Sequence, residues 1–155
     1  MPKALIDTPI GALTVIANDV GVCRVWFGDL DTSGSGTEAA DAHLAVALTQ
    51  LSEYFDGERS SFDLAIDRSG RAGFRGEVLD ALETVSFGQT ITYGDLAARA
   101  GRPSAARAVG SAMATNPVAI IVPCHRVLPT GGGVGQFGGG VPAKEWLLRR
   151  EGSLD

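Results

Sequence analysis

Asn116-Pro117-Val118-Ala119-Ile120-Ile121-Val122-Pro123-Cys124-His125-Arg126-Val127 joins an apolar run to a reactive tetrad. Val118 to Val122 reads as a buried strand or extended segment. It delivers Pro123-Cys124-His125-Arg126 at its end. A cysteine there is held rigidly, and an imidazole beside it can take its proton. The thiolate is the nucleophile, and a free cysteine has a pKa of about 8.5, so a partner must lower it or accept the proton. Neighbouring side chains on an extended strand point to opposite faces, so His125 needs a local bend to reach Cys124, and Pro123 is the candidate for it. From these residues alone, other readings stay open. An isolated Cys-His pair can be structural. A zinc site normally takes four Cys/His ligands, yet only Cys23 and His43 remain elsewhere in the chain. A cysteine hydrolase needs an oxyanion hole and an acyl pocket that nothing local marks.

Working outward toward the N-terminus, two short helices precede this segment. Thr92 and Asp95 have the capping-box spacing, which opens a helix at Thr92-Tyr93-Gly94-Asp95. Gly101-Arg102-Pro103 stops it, and Ser104 is the expected cap of a second helix, Ala105 to about Ala114. A helix pair joined by a glycine-containing turn has helix-turn-helix spacing. The second helix is almost all small residues, with Ala105, Ala106 and Gly110 around a single long cation, Arg107. Small side chains permit close approach to another surface, whether a neighbouring helix or a DNA groove. Before this pair, Phe74, Val78, Leu82 and Val85 mark an amphipathic helix ending before Phe87-Gly88. After the tetrad, Gly131 to Gly140 is glycine-rich but lacks the Lys-Ser/Thr of a phosphate-binding loop. It reads as a flexible loop. A last helix is expected from Lys144 to Glu151, ending at Gly152.

The front of the chain is different in kind. Ala12–Ala17 and Val22–Phe27 are β-rich runs around an Asn18-Asp19-Val20-Gly21 hairpin turn. Asp31 to Thr37 reads as a polar Gly/Ser loop. Leu44, Leu48, Leu51 and Phe55 recur at helical spacing up to Asp56-Gly57, and Phe62–Ile66 reads as a short strand. Two domains are expected, residues 1–69 and 70–155. Residues 1–67 hold 3 Lys/Arg against 11 Asp/Glu, a balance of −8, whereas residues 68–155 hold 10 against 7, a balance of +3. The net −5 argues against a simple polybasic nucleic-acid binder, and the asymmetry leaves the second half to meet any anion. Cys23, in an alternating run, reads as a buried packing residue, and His43 as a surface or packing residue. No run of about 18 apolar residues is present. The first residues carry an acid too early for a signal peptide, so the expectation is a cytoplasmic protein.

Several motifs in a fixed order resemble the O6-alkylguanine-DNA alkyltransferases. Pro123-Cys124-His125-Arg126-Val127, preceded by Asn116-Pro117, is similar to their active-site signature. Thr92-Tyr93-Gly94-Asp95-Leu96-Ala97, Ala105-Ala106-Arg107-Ala108-Val109-Gly110, Gly138-Gly139-Gly140 and Lys144-Glu145-Trp146-Leu147-Leu148 fall in the same order and spacing. The likeness is strong over about 72–152 and weaker in front. It implies an α+β fold, with a small N-terminal sheet-plus-helix domain and a mostly helical C-terminal domain carrying the helix-turn-helix. It implies irreversible, single-turnover transfer of an alkyl group from O6-alkylguanine, and from O4-alkylthymine, in double-stranded DNA to Cys124, without metal or cofactor. His125 would take the thiol proton through a water, Glu151 would orient His125, and Asn116 would brace the turn. Tyr93 would polarise or protonate the leaving guanine. Arg107 would enter the duplex through the minor groove as the damaged nucleotide rotates out, with Ser104, Ala105, Ala106 and Gly110 forming the slim face. The carbonyls of Cys124 and Val127 would accept from the guanine amino group, and the Gly138 N–H would donate to O6, in a loop lining the base pocket. Two positions depart from the pattern: Phe137 stands where many relatives have tyrosine, and Gly138 where some have serine. A monomer is expected in solution, with cooperativity on DNA left open and no membrane partner. The rival readings are a non-enzymatic alkylated-DNA-binding module that recruits repair factors, and a transcription regulator.

Overall fold

The structure is a computed structural model that describes residues 1–31 and 34–155; Thr32 and Ser33, in the expected polar loop, lie outside the described residues. The chain forms two compact units, Met1–Ser69 and Gly70–Asp155. It is an α+β fold.

In the first unit, β1 (Lys3–Thr8), β2 (Gly11–Ala17) and β3 (Val22–Phe27) form an antiparallel sheet in that order. β2 is central, and Leu13, Val15 and Ala17 are fully buried. The turn between β2 and β3 closes as expected: Asn18 Oδ1 accepts from the N–H groups of Val20 and Gly21 at 2.9 and 3.1 Å, an Asx turn. α1 (Glu38–Phe55) packs across the sheet, burying Leu44, Ala47, Leu51 and Phe55. Thr37 caps its start, accepting from the Ala40 N–H, and it ends at Asp56-Gly57, where Gly57 takes φ 82°. Two expectations need correction. β1 was not anticipated; it is an edge strand of half-buried and exposed residues with little apolar signal. The strand expected at Phe62–Ile66 reduces to one bridge, Ile66 with Val22. The Gln50 side chain satisfies both backbone groups of Asp63 instead, at 2.7 and 2.9 Å, so no ladder is needed there.

In the second unit, α2 (Gly73–Leu82), α3 (Tyr93–Arg99) and α4 (Ala106–Ala114) pack on one another. Thr92 caps α3 as its spacing foretold, accepting from the Asp95 N–H at 3.0 Å. Ser104 does not cap α4. The N-cap is Ala105, without any side-chain cap, because the chain first closes a turn from the Ala105 N–H to the Arg102 carbonyl at 3.0 Å. β4 (Ile91–Thr92) pairs in parallel with β5 (Val127–Leu128). α5 (Val141–Arg150) starts three residues earlier than expected, since Pro142 suits a first turn, and it ends at Glu151 and Gly152, the latter at φ 77°. Among the described residues, no helix is long and apolar enough to cross a membrane.

Candidate active site

The apolar run that reads as a strand is folded back on itself. Val118 to Val122 are all buried, but the Ile121 N–H donates to the Ala119 carbonyl at 2.8 Å, across an Ile120 that sits at φ 74°. This is a γ-turn with a left-handed centre, a conformation that costs a β-branched residue roughly 1–3 kcal/mol. The Val122 N–H then returns to the Val118 carbonyl at 2.9 Å. Asn116 locks both ends of the loop: its Nδ2 donates to the Val122 carbonyl at 2.9 Å, and its Oδ1 accepts from the Val118 N–H at 3.1 Å. Five apolar residues carry no sign of this reversal, because the groups that enforce it lie outside the run.

Pro123 bends the chain ahead of Cys124, as expected, and the His125 ring turns to Glu151. At φ −85° and ψ 65° Pro123 centres an inverse γ-turn, with the Cys124 N–H donating to the Val122 carbonyl at 2.9 Å. A single 3₁₀ turn, Cys124–Arg126, follows. Cys124, His125 and Arg126 are all buried. Burial pushes the Cys124 thiol up, while a hydrogen bond from Asn116 and the charge of Lys144 pull it down.

His125 is fully enclosed, and its Nε2 lies 2.8 Å from Glu151 Oε2. A carboxylate only accepts, so Nε2 carries the hydrogen and Nδ1 presents a lone pair. Among the described residues, Nδ1 is buried without a hydrogen-bond partner. Burial keeps the imidazole below its ordinary pKa, against the opposing pull of Glu151, so it rests neutral. Such a nitrogen can take a proton from a thiol through a water.

Two residues of this cluster escaped the sequence reading. Arg126 donates from Nε to Glu151 Oε1 at 2.7 Å, from one terminal nitrogen to Glu151 Oε2 at 3.1 Å, and from the other to the Val85 carbonyl at 2.6 Å. Lys144, in the first turn of α5, is fully buried; its Nζ donates to the Val127 carbonyl at 2.8 Å and to the Gln136 carbonyl at 3.4 Å. Arg126 carries a detectable signal, since it stands within the reactive tetrad. Lys144 has none, because a lysine in an amphipathic helix reads as solvated surface.

Cys124 opens onto a cavity of about 580 Å³ whose lining includes Tyr93, Met113, Pro129, Gly135, Phe137 and Gly138. Tyr93 is brought there by the pairing of β4 with β5, which sets Thr92 opposite Leu128. Burial and the facing Cys124 raise its phenol pKa. Gly110 reaches the same cavity from α4, whereas Ala106 and Arg107 at its start and Ser104 just before it are exposed, and the N-cap Ala105 is half-buried. Val127 is fully buried, with its carbonyl engaged by Lys144. The structure therefore brings together Cys124, His125, Glu151, Asn116, Tyr93, Gly110 and Gly138, and leaves Arg107 on the surface. Cys23 is half-buried rather than buried, since β3 is an edge strand, and burial raises its thiol pKa. Among the described residues no cluster of three His, Cys, Asp or Glu is placed to hold a metal.

Comparison with known proteins agrees across both units. Residues 73–153 match the family model of the 6-O-methylguanine DNA methyltransferase DNA binding domain, and residues 1–68 match that of its ribonuclease-like domain. A methylated-DNA–protein-cysteine methyltransferase of Mycolicibacterium paratuberculosis is 40% identical over 94% of this chain and 89% of its own. One from Methanosarcina acetivorans is 38% identical, with 99% of each covered. The crystal structure of Mycobacterium tuberculosis OGT in complex with DNA superposes with a TM-score of 0.84 at 38% identity, covering 97% of this chain and 93% of that one.

Proposed function

Because the chain belongs to the 6-O-methylguanine DNA methyltransferase family, whose members repair DNA by alkyl transfer to a protein cysteine, we propose that Cys124 is the acceptor, once per molecule. The observation that carries this reading is the thiol itself, set at the wall of a cavity of about 580 Å³ that has room for a nucleobase, with a neutral buried imidazole next to it in the chain. His125 takes the thiol proton through a water, and Glu151 fixes the tautomer that leaves Nδ1 able to do so. The thiolate attacks the alkyl carbon in line. The carbon–O6 bond breaks, and its electron pair leaves on guanine, where the Tyr93 hydroxyl and the Gly138 N–H meet the developing charge. The product is a thioether, so the protein does not turn over. Asn116 holds the loop that presents the sulfur.

The target atom lies inside the base stack, so the nucleotide must rotate out at a cost of a few kcal/mol. Arg107, projecting from α4, fills the vacancy. The small residues Ala105, Ala106 and Gly110 let α4 enter the minor groove, and Ser104 lies at its edge against the backbone. The Cys124 carbonyl accepts from the guanine amino group. The Val127 carbonyl is already engaged by Lys144, and its second lone pair serves the same purpose. O4-alkylthymine presents the same alkyl–oxygen bond and falls within the same chemistry. The protein acts as a monomer.

Intact-mass spectrometry after exposure to duplex DNA carrying O6-methylguanine tests this reading. One methyl should be added on the peptide containing Cys124. Cys124→Ala should lose transfer and keep binding to the damaged duplex. Transfer that survives in that variant would relocate the nucleophile to Cys23.

A further inference from the structure

Glu151 answers two side chains with one carboxylate. Its Oε2 accepts from His125 Nε2 at 2.8 Å and from one terminal nitrogen of Arg126 at 3.1 Å, and its Oε1 accepts from Arg126 Nε at 2.7 Å. The other terminal nitrogen of Arg126 donates to the Val85 carbonyl at 2.6 Å, which fixes the plane of the guanidinium against the carboxylate. All three residues are buried. The remaining titratable groups near His125 are Cys124 on its own turn and Lys144 at the start of α5, whose Nζ is held by the Val127 and Gln136 carbonyls. Tyr93, on α3, faces the sulfur.

With water kept out, the charge of Glu151 has to be met by the protein. The guanidinium meets it, so His125 need offer only a neutral N–H. Take the guanidinium away, and the buried carboxylate draws a proton to the Glu151–His125 pair instead. That proton has two places to go, and both end alike. On the imidazole it makes an imidazolium, with hydrogens on both nitrogens. On the carboxyl it makes an acid whose O–H donates to Nε2, and the single hydrogen of the imidazole moves to Nδ1. In either state Nδ1 has no lone pair to give.

We propose that Arg126 is a positioning residue for the proton transfer: by holding Glu151 as a charged acceptor it keeps a resting proton off the Glu151–His125 pair, and so keeps Nδ1 the base. The inference rests on His125 being the group that takes the Cys124 proton. Burial and the Arg126 charge both press the imidazole toward its neutral form, against the pull of Glu151. In the reaction the thiol proton passes through a water to Nδ1. It leaves a thiolate behind and makes an imidazolium, which Glu151 already faces through Nε2.

The test uses the full chain with Cys23→Ser and His43→Gln, which leaves one thiol and one imidazole. Nitrogen-15 spectra of His125 read the proton positions directly. At pH 7 this parent should carry its hydrogen on Nε2 and none on Nδ1. In Arg126→Met, Nδ1 should be protonated at the same pH, and Arg126→Lys should return toward the parent pattern. The second readout is the rate of methyl transfer from duplex O6-methylguanine against pH. In Arg126→Met the acid limb should move upward by about one unit or more, a loss of roughly tenfold at pH 7 that shrinks as pH rises. Damage to packing alone would slow transfer equally at every pH. Arg126→Gln keeps donors without the charge and carries both measurements if Arg126→Met fails to fold; the parent spectrum needs neither. A bare Nδ1 at pH 7 in the uncharged variants overturns the proposal, as does a rate loss independent of pH. A protonated Nδ1 in the parent does the same. If the spectra follow the expected pattern while alkylated DNA leaves no methyl on Cys124, it is the transfer reading that fails.

Discussion

His125 is useful because one of its nitrogens is committed and the other is not. Glu151 fixes the hydrogen on Nε2, and the enclosure leaves Nδ1 without a partner. The same burial has a measurable price in acid. The folded imidazole lies below its ordinary pKa, chiefly through desolvation, so as pH falls the unfolded chain takes up the proton first. Stability from this group is complete above the ordinary histidine range of about 6.5 and declines as pH drops from there through the folded value. Thermal melts of the wild type between pH 7.5 and 5 should therefore fall more steeply than those of His125→Gln. Parallel slopes would mean that His125 is not the group responsible. The adjacency of this histidine to the cysteine was legible from Pro123-Cys124-His125. The role of its neighbour Arg126 was not, because nothing in the local sequence says that Glu151, 25 residues on, returns to meet it.

At the scale of elements, α4 divides its work between two sides. Val109 and Ala112 are buried, Gly110 reaches the cavity, and Arg107 is exposed. A long cation on a slim helix suits a wedge that enters a duplex, and its contribution should appear only when there is a stack to enter. Arg107→Ala should slow repair in duplex DNA by tenfold or more, given that removing a few kcal/mol of support costs about a factor of ten per 1.4 kcal/mol. Reaction with the free base O6-benzylguanine should be little changed. Equal losses in the two assays would remove the wedge role. The helix pair was readable from Thr92, Asp95 and Gly101, since capping and termination are local chemistry. The cap of α4 was misread because Ser104 is a good cap by type, and the preceding turn at Arg102 decided where the helix begins. Val118 to Val122 was misread for a different reason: periodicity cannot tell an extended apolar run from one folded upon itself, and Asn116 enforces the fold from outside.

Across the whole molecule, charge is segregated along the chain, with −8 in residues 1–67 and +3 in residues 68–155. Net charge is −5, so the protein cannot hold DNA by a broad polybasic face. Few phosphates are available to be neutralised, and the dependence of DNA affinity on salt should be shallow. A plot of log K against log salt should have a slope of about −3, corresponding to three or four phosphate contacts. A slope near −10 would require an extensive cationic surface that this composition does not provide.

What the sequence determined by itself was local: the Thr92 cap, the turns at Asn18 and Gly57, the segregation of strands from helices, and a cysteine set beside a histidine after a proline. These depend on residues within a few positions of one another, and neighbours in sequence must be neighbours in space. Only the tertiary structure decided how the reactive cluster is completed. Glu151 arrives from the end of α5, Lys144 from its start, Tyr93 through the β4–β5 pairing, and the Val85 carbonyl from a loop 41 residues before Arg126. Burial, not residue type, turns that lysine from ordinary surface charge into a donor to the Val127 and Gln136 carbonyls, and burial is a property of the folded chain as a whole.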